Sequence, residues 1–183
     1  MLYKFKIGVL TVQIEIKVLN KEFYDRRSKL ERDNSTPLYD LPDYQTSGSA
    51  GLDLVCTNDI LLYPGETTVV NTGLAIHIDC RRSLCNYMGV IAPRSGLGTR
   101  GLVLANTIGI IDEDYQGEIK VQIWNRLHSY NEASAHAKII QLKAGDRFAQ
   151  LILVPIEKAG FIVVDEFSSQ TRRNEGGFGS TGV

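Results

Sequence analysis

The stretch Ala105–Val121, ANTIGIIDEDYQGEIKV, decides the fold. It runs on into Glu118–Trp124, where Ile119, Val121 and Ile123 alternate with Lys120, Gln122 and Trp124. A period of two suits a strand with one buried face and is useless to a helix, whose same-face neighbours lie three and four apart. Before this strand come Asp112, Glu113, Asp114, Tyr115 and Gly117, a turn carrying three acids and an aromatic. Asn106, six residues ahead of Asp112, adds a side-chain amide. A carboxylate-rich turn between two apolar runs is the arrangement in which a rigid sheet presents catalytic groups on a connection.

Outward from this stretch the same grammar repeats. Leu10–Val18 sets Val12, Ile14, Ile16 and Val18 against Thr11, Gln13, Glu15 and Lys17, an amphipathic strand. Leu74–Ile78 alternates as a strand, Val90–Ala92 continues in that style, and Arg147–Pro155 and Phe161–Val164 read as further strands. Turn chemistry separates them: Pro37, Pro42, the Ser47–Gly51 run and Tyr63-Pro64-Gly65-Glu66. Asn20–Asp33 reads as loop or a short surface helix. Short strands without a strong amphipathic helix predict an all-β fold, an antiparallel barrel or jelly roll. Gly96, Gly98 and Gly101 match the letters GxGxxG. A dinucleotide site needs that pattern between a strand and a helix of a βαβ unit, and Val103–Asn106 leaves no room for one.

Length and composition bound the function. The chain of 183 residues, 43% hydrophobic, reads as one domain spanning 1–183, able to bury about two-thirds of its unfolded surface. Net charge is −1, so no basic excess argues for nucleic acid as a partner. Cys56, Cys80 and Cys85 are odd in number and lack a CxxC pair, which suggests neither a disulfide framework nor a zinc site. No apolar run reaches the length of a membrane span and no secretory signal opens the chain, so a soluble, cytoplasmic protein is expected.

Three further constellations carry chemistry beside a bland alternative. Arg94-Ser95-Gly96 joins a forked guanidinium, a hydroxyl and a glycine that lets backbone N–H groups approach an anion, although PRSG alone is an ordinary turn. Asp53 interrupts the apolar run AGLDL, where a carboxylate is costly unless paired or bound. The tail from residue 168 is polar and glycine-rich, with too little apolar content to pack by itself. Asp112 alone would be a turn former, Tyr115 a strand-edge aromatic, Gln150 an outward strand residue, and Asp114 and Glu118 solvated charges.

Five runs in order, SAGLDL (Ser49–Leu54), PRSGLG (Pro93–Gly98), GIIDEDYQGEI (Gly109–Ile119), GDRFAQLIL (Gly145–Leu153) and RNEGGFGSTG (Arg173–Gly182), closely resemble the motifs of the homotrimeric dUTPase family. The resemblance implies a jelly-roll homotrimer with a swapped C-terminal arm over residues 168–183, hydrolysing dUTP to dUMP and pyrophosphate. It makes Asp112 the base that activates water and Tyr115 the ring beneath the deoxyribose. Arg94, Ser95, Gly96 and Gln150 fall at phosphate contacts, and Asn106, Ile110, Ile111 and Lys120 at main-chain and wall contacts to the nucleoside. Arg173 and Ser180 would close on the γ-phosphate and Phe178 stack on the uracil. Mg²⁺ would come mainly on the substrate phosphates, with Asp53 holding its waters.

Departures are few. Asn174 stands where the family often has glycine, and Ala105 replaces a frequent glycine. Residues 1–10 form an N-terminal extension and 129–140 a surface insertion. A dCTP deaminase would share the fold but needs a catalytic glutamate and a different turn. A trimeric regulator acting through its insertions would share the motifs without the reaction.

Overall fold

The computed structural model describes residues 12–27, 39–82, 85–128 and 138–176. The elements are β1 (Gln13–Val18), α1 (Lys21–Arg27), β2 (Leu52–Val55), β3 (Ile60–Leu62), β4 (Thr67–Asp79), β5 (Asn86–Pro93), α2 (Ser95–Thr99), β6 (Leu102–Leu104), β7 (Gly109–Ile111), β8 (Glu118–Asn125), β9 (Ile140–Leu142) and β10 (Arg147–Ile156). They form two four-stranded sheets, β1-β4-β8-β6 and β2-β10-β5-β7, and a small pair β3-β9. Every pairing is antiparallel, as the expected jelly roll requires.

The alternation expected from Glu118 to Trp124 is realised in β8, where Ile119, Val121 and Ile123 are buried and Lys120 and Gln122 are exposed. They meet Ile91, Ile111, Phe148 and Leu151 of the other sheet in one core. Asn125 ends the strand fully buried, with Nδ2 donating to Leu62 O at 3.0 Å and Lys138 O at 2.9 Å, so the buried amide is satisfied.

Several expectations change. Leu74–Ile78 does not alternate, because β4 is covered on both faces: Ile76 and Ile78 join the main core, and Leu74 joins Val18, Tyr24 and Val55 in a second cluster. Of the two alternatives for Asn20–Asp33 the short surface helix is found, as α1, with Lys21 and Glu22 exposed; what was not expected is its anchor, Tyr24, which is wholly buried and donates from Oη to Thr72 O at 2.7 Å. Residues 28–33 lie outside the described residues. Phe161–Val164 forms no strand, and Phe161, Ile162 and Val163 are 93%, 88% and 97% exposed. Propensity favours a strand there, but a strand needs a neighbour for its backbone groups, and none among the described residues pairs with it. Of segment 129–140, residues 129–137 lie outside the described residues, while Ile140 begins β9 and is buried. Residues 1–10 also lie outside them. Of the GxGxxG letters Gly96 and Gly98 lie on the five-residue α2 and Gly101 just beyond it, between strands of antiparallel sheets, as the rejection of a dinucleotide site anticipated.

Candidate active site

β5 ends at Pro93 and turns directly into α2, which begins at Ser95. A helix start leaves its first amides without intrahelical acceptors, and Ser95 and Gly96 occupy those positions. Both line a cleft of about 500 Å³ with Arg94, Arg100, Asp146 and Arg147. A Cβ on Gly96 would meet nothing within 4 Å, so packing does not demand glycine here. Open space beside bare backbone leaves a close approach free for a ligand.

Asp53, on β2, is the carboxylate that had to be paired. Its Oδ1 lies 3.0 Å from Arg94 Nε and its Oδ2 3.2 Å from Arg147 Nη1, with the side chain 11% exposed. Gln150 sits opposite Asp53 in the β2–β10 ladder, and its Nε2 donates to Pro93 O at 3.3 Å. Arg147 and Gln150 are three apart, which on a regular strand would send them to opposite faces. The register shifts between Arg147 and Ala149, and Phe148 and Ala149 are both buried, so this bulge brings the two polar groups to the same rim. Arg147 also donates to Gln45 Oε1 at 2.7 Å.

The acidic turn follows β7. Asp112 is exposed and its carbonyl accepts from Tyr115 N at 3.2 Å. The Tyr115 ring is 42% exposed and its hydroxyl donates to Glu118 O at 2.9 Å. Glu113 pairs with Lys158, and that hydrogen bond holds its carboxyl below the usual glutamate range. Glu118 is not a solvated charge: its Oε1 accepts from Gly73 N at 2.9 Å, at the break in the β4–β8 register. Gly73 has φ 67, so glycine forms the bulge and Glu118 takes the amide that the ladder loses. Upstream, Asn106 is exposed in a turn where Thr107 has φ 68. This turn is a corner between sheets and not a hairpin, since β6 pairs with β8 and β7 with β5. Ile110 is 48% exposed, Ile111 lies in the core and offers a ligand only its main chain, and Lys120 is exposed on β8.

These two assemblies are far apart in one chain. Ile111 pairs with Gly89, halfway along the eight-residue β5, whereas Arg94 follows its end. At about 3.3 Å per residue, the five positions from Gly89 to Arg94 put roughly 16 Å between the acidic turn and the arginine. Arg173 is exposed in a turn where its Nε donates to Gly176 O at 2.7 Å. Phe178 and Ser180 lie outside the described residues.

The family model for dUTPase matches residues 39–182. The chain belongs to the dUTPase family. It is 45% identical over 176 residues to the deoxyuridine 5'-triphosphate nucleotidohydrolase of Aeromonas hydrophila, covering 94% of this chain and 99% of that protein. It is 42% identical over 173 residues to the one from Sodalis glossinidius, covering 93% and 97%. Among solved structures it is similar to a point mutant of the dUTPase of Staphylococcus bacteriophage 80alpha with dUpNHpp, at TM-score 0.73 and 26% identity over 94% of this chain and 100% of that one. It also shares the fold of the dUTPase of phage phi11 of S. aureus, in which a structural Mg(II) ion is coordinated, at TM-score 0.67 and 24% identity over 86% and 99%. As a dUTPase the chain is a hydrolase acting on the phosphoanhydride of dUTP. Within this dUTPase, sequence reasoning missed Arg147 and Arg100 as cleft residues. The signal available for Arg147 was its spacing: Arg-x-x-Gln around two apolar residues breaks strict alternation and so implies a bulge. Nothing in the sequence singled out Arg100.

Proposed function

We propose that the chain hydrolyses dUTP with Asp112 as general base, the Arg94-Ser95-Gly96 cleft as phosphate grip and Tyr115 as the floor of the sugar site. The observation that carries this is the cleft itself: guanidiniums braced by Asp53 beside a glycine with open space in front of it. Asp112 takes the proton from water as its oxygen bonds to phosphorus, the α–β bridge bond breaks, and pyrophosphate leaves with the bridge oxygen's electron pair. Arg94, Ser95 and Gln150 hold the charge that develops on the phosphate oxygens. A ring face at Tyr115 offers apolar contact and no partner for a 2′-hydroxyl, so ribose is penalised. Asn106, Ile110, Ile111 and Lys120 frame the nucleoside, while Arg173, Phe178 and Ser180 belong to the closing arm.

The separation of the two half-sites along β5 supports a homotrimer in which the acidic turn of one subunit serves the cleft of another. Mg²⁺ fits as a substrate-borne ion. No group of three His, Cys, Asp or Glu among the described residues is placed to hold a metal ion by itself, while Asp53 retains acceptor capacity beyond its two arginine contacts. When bound through the phosphates, Mg²⁺ would neutralise their charge. Free Cys56, Cys80 and Cys85 suit a reducing cytoplasm, and no described helix is long and apolar enough to cross a membrane.

The test is pyrophosphate release with Mg²⁺ from dUTP, UTP, dTTP and dCTP, for the native chain and Asp112→Asn. Release confined to dUTP and lost in the variant is the expected result. A folded native chain that binds dUTP without releasing pyrophosphate would sink the proposal, and ammonia released from dCTP would point to the deaminase.

A further inference from the structure

Gly117 is the one glycine of the acidic turn, and its backbone does not require glycine, since its φ lies outside the left-handed range. What requires it is the ring of Tyr115. A Cβ on Gly117 would stand 2.5 Å from Tyr115 Oη, 2.6 Å from Cζ and 3.0 Å from Cε2. Ordinary carbon contacts lie at about 3.5–4.0 Å, so any side chain would move the ring by roughly 1 Å. The ring is tied at two further points: its hydroxyl donates to Glu118 O at 2.9 Å, and its amide donates to Asp112 O at 3.2 Å. With one face on Gly117 and the side chain 42% exposed, the ring offers its other surface to a ligand.

We propose that Gly117 sets sugar specificity by letting the Tyr115 ring lie flat against the backbone, in the plane that admits deoxyribose and refuses a 2′-hydroxyl. The proposal rests on Tyr115 being the sugar floor. Glu118 completes the support. Its carbonyl anchors the hydroxyl and its carboxylate fixes the strand start to the Gly73 bulge, so the ring plane is referred back to the rigid sheet. Gly117 acts on the sugar site through the Tyr115 ring and is a positioning residue.

The experiment measures kcat/KM for dUTP and UTP in the native enzyme, Gly117→Ala, Tyr115→Phe, Tyr115→Leu and the double variant Gly117→Ala/Tyr115→Leu, with thermal denaturation of each. Because a displacement near 1 Å is enough to cost orders of magnitude in rate, Gly117→Ala is expected to lower the dUTP-to-UTP ratio about tenfold. Tyr115→Phe, which keeps the ring and loses the tie to Glu118, is expected to lower it about threefold. In the Tyr115→Leu background, adding Gly117→Ala should change neither the ratio nor the midpoint, since no ring remains to be displaced. That comparison also decides the matter if Gly117→Ala alone fails to fold: a double variant as stable as Tyr115→Leu supports the proposal, and one that is equally unfolded overturns it. A native preference for dUTP that Gly117→Ala leaves unchanged removes the role of Gly117 alone. A native enzyme indifferent to the sugar removes the reading of Tyr115 itself.

Discussion

Asp53 lies between two guanidiniums, and its substitution separates bracing from folding. Arg94 and Arg147 are 35% and 43% exposed, so solvent screens the pairs and their loss should cost little stability. The same pairs aim the Arg94 fork into the cleft. Asp53→Asn is therefore expected to lower kcat/KM for dUTP by roughly tenfold or more while the denaturation midpoint stays nearly constant, because orientation and not affinity is lost. Steady-state kinetics beside urea denaturation check it, and a collapse of stability with unchanged kinetics would contradict it. Glu118 makes the opposite case. Its carboxylate serves the part-buried Gly73 amide at 2.9 Å, so Glu118→Ala should cost about 1–3 kcal/mol in urea denaturation, and Glu118→Gln, which keeps an acceptor, much less. The bond spans 45 positions in sequence, which is why local reading treats Glu118 as a solvated charge. Asn174 was legible only as a departure from glycine. Its φ of 44 supplies the reason it is tolerated, since asparagine enters the left-handed region more readily than most residues.

At the scale of elements, strands with one wet face announce themselves and those covered twice do not. β8 could be read from its period of two, whereas β4 carries core on both sides of its middle and loses the pattern. The anchoring of α1 was hidden for a related reason, because Tyr24 contributes one large buried side chain and no periodic stripe. Tyr24→Phe should cost about 1 kcal/mol through the lost bond to Thr72 O, and Tyr24→Ala about 3–5 kcal/mol through the cavity. The segment after β10 is pinned where Lys158 meets Glu113, the residue after Asp112. The pair lowers the folded-state pKa of Glu113 and raises that of Lys158. For a depressed carboxyl the contribution is present above the unfolded-state value and is lost as pH falls through the folded value. Cleavage of the 159–176 segment by an acid-active protease should therefore stay slow through the ordinary glutamate range and rise only below it. In Glu113→Gln it should be fast at every pH tested, and equal rates in the two proteins would remove the pin.

At the scale of the whole molecule, motif order was readable and assembly was not. The five runs identify the chemistry, but they carry no distance, and the β5–β7 register alone separates Asp112 from Arg94 by most of a strand. On the proposed roles both groups must act at one phosphorus, and the proposed homotrimer, as a closed rotational assembly, would bring the acidic turn of each copy to the cleft of the next. The exposed apolar run at Phe161–Val163 points the same way, since it finds no cover among the described residues. Complementation follows from this geometry. On the proposed roles, Asp112→Asn would keep the cleft and lack the base, and Arg94→Ala would keep the base and lack the grip. Each homotrimer should be inactive, and subunits unfolded together and refolded at equal ratio should place an intact base against an intact cleft in about a quarter of sites. Recovery of roughly a quarter of native pyrophosphate release would establish that neighbours share the site. Mixtures as inactive as their components would mean that Asp112 and Arg94 must belong to one chain, and that the separation across β5 closes by some movement within it.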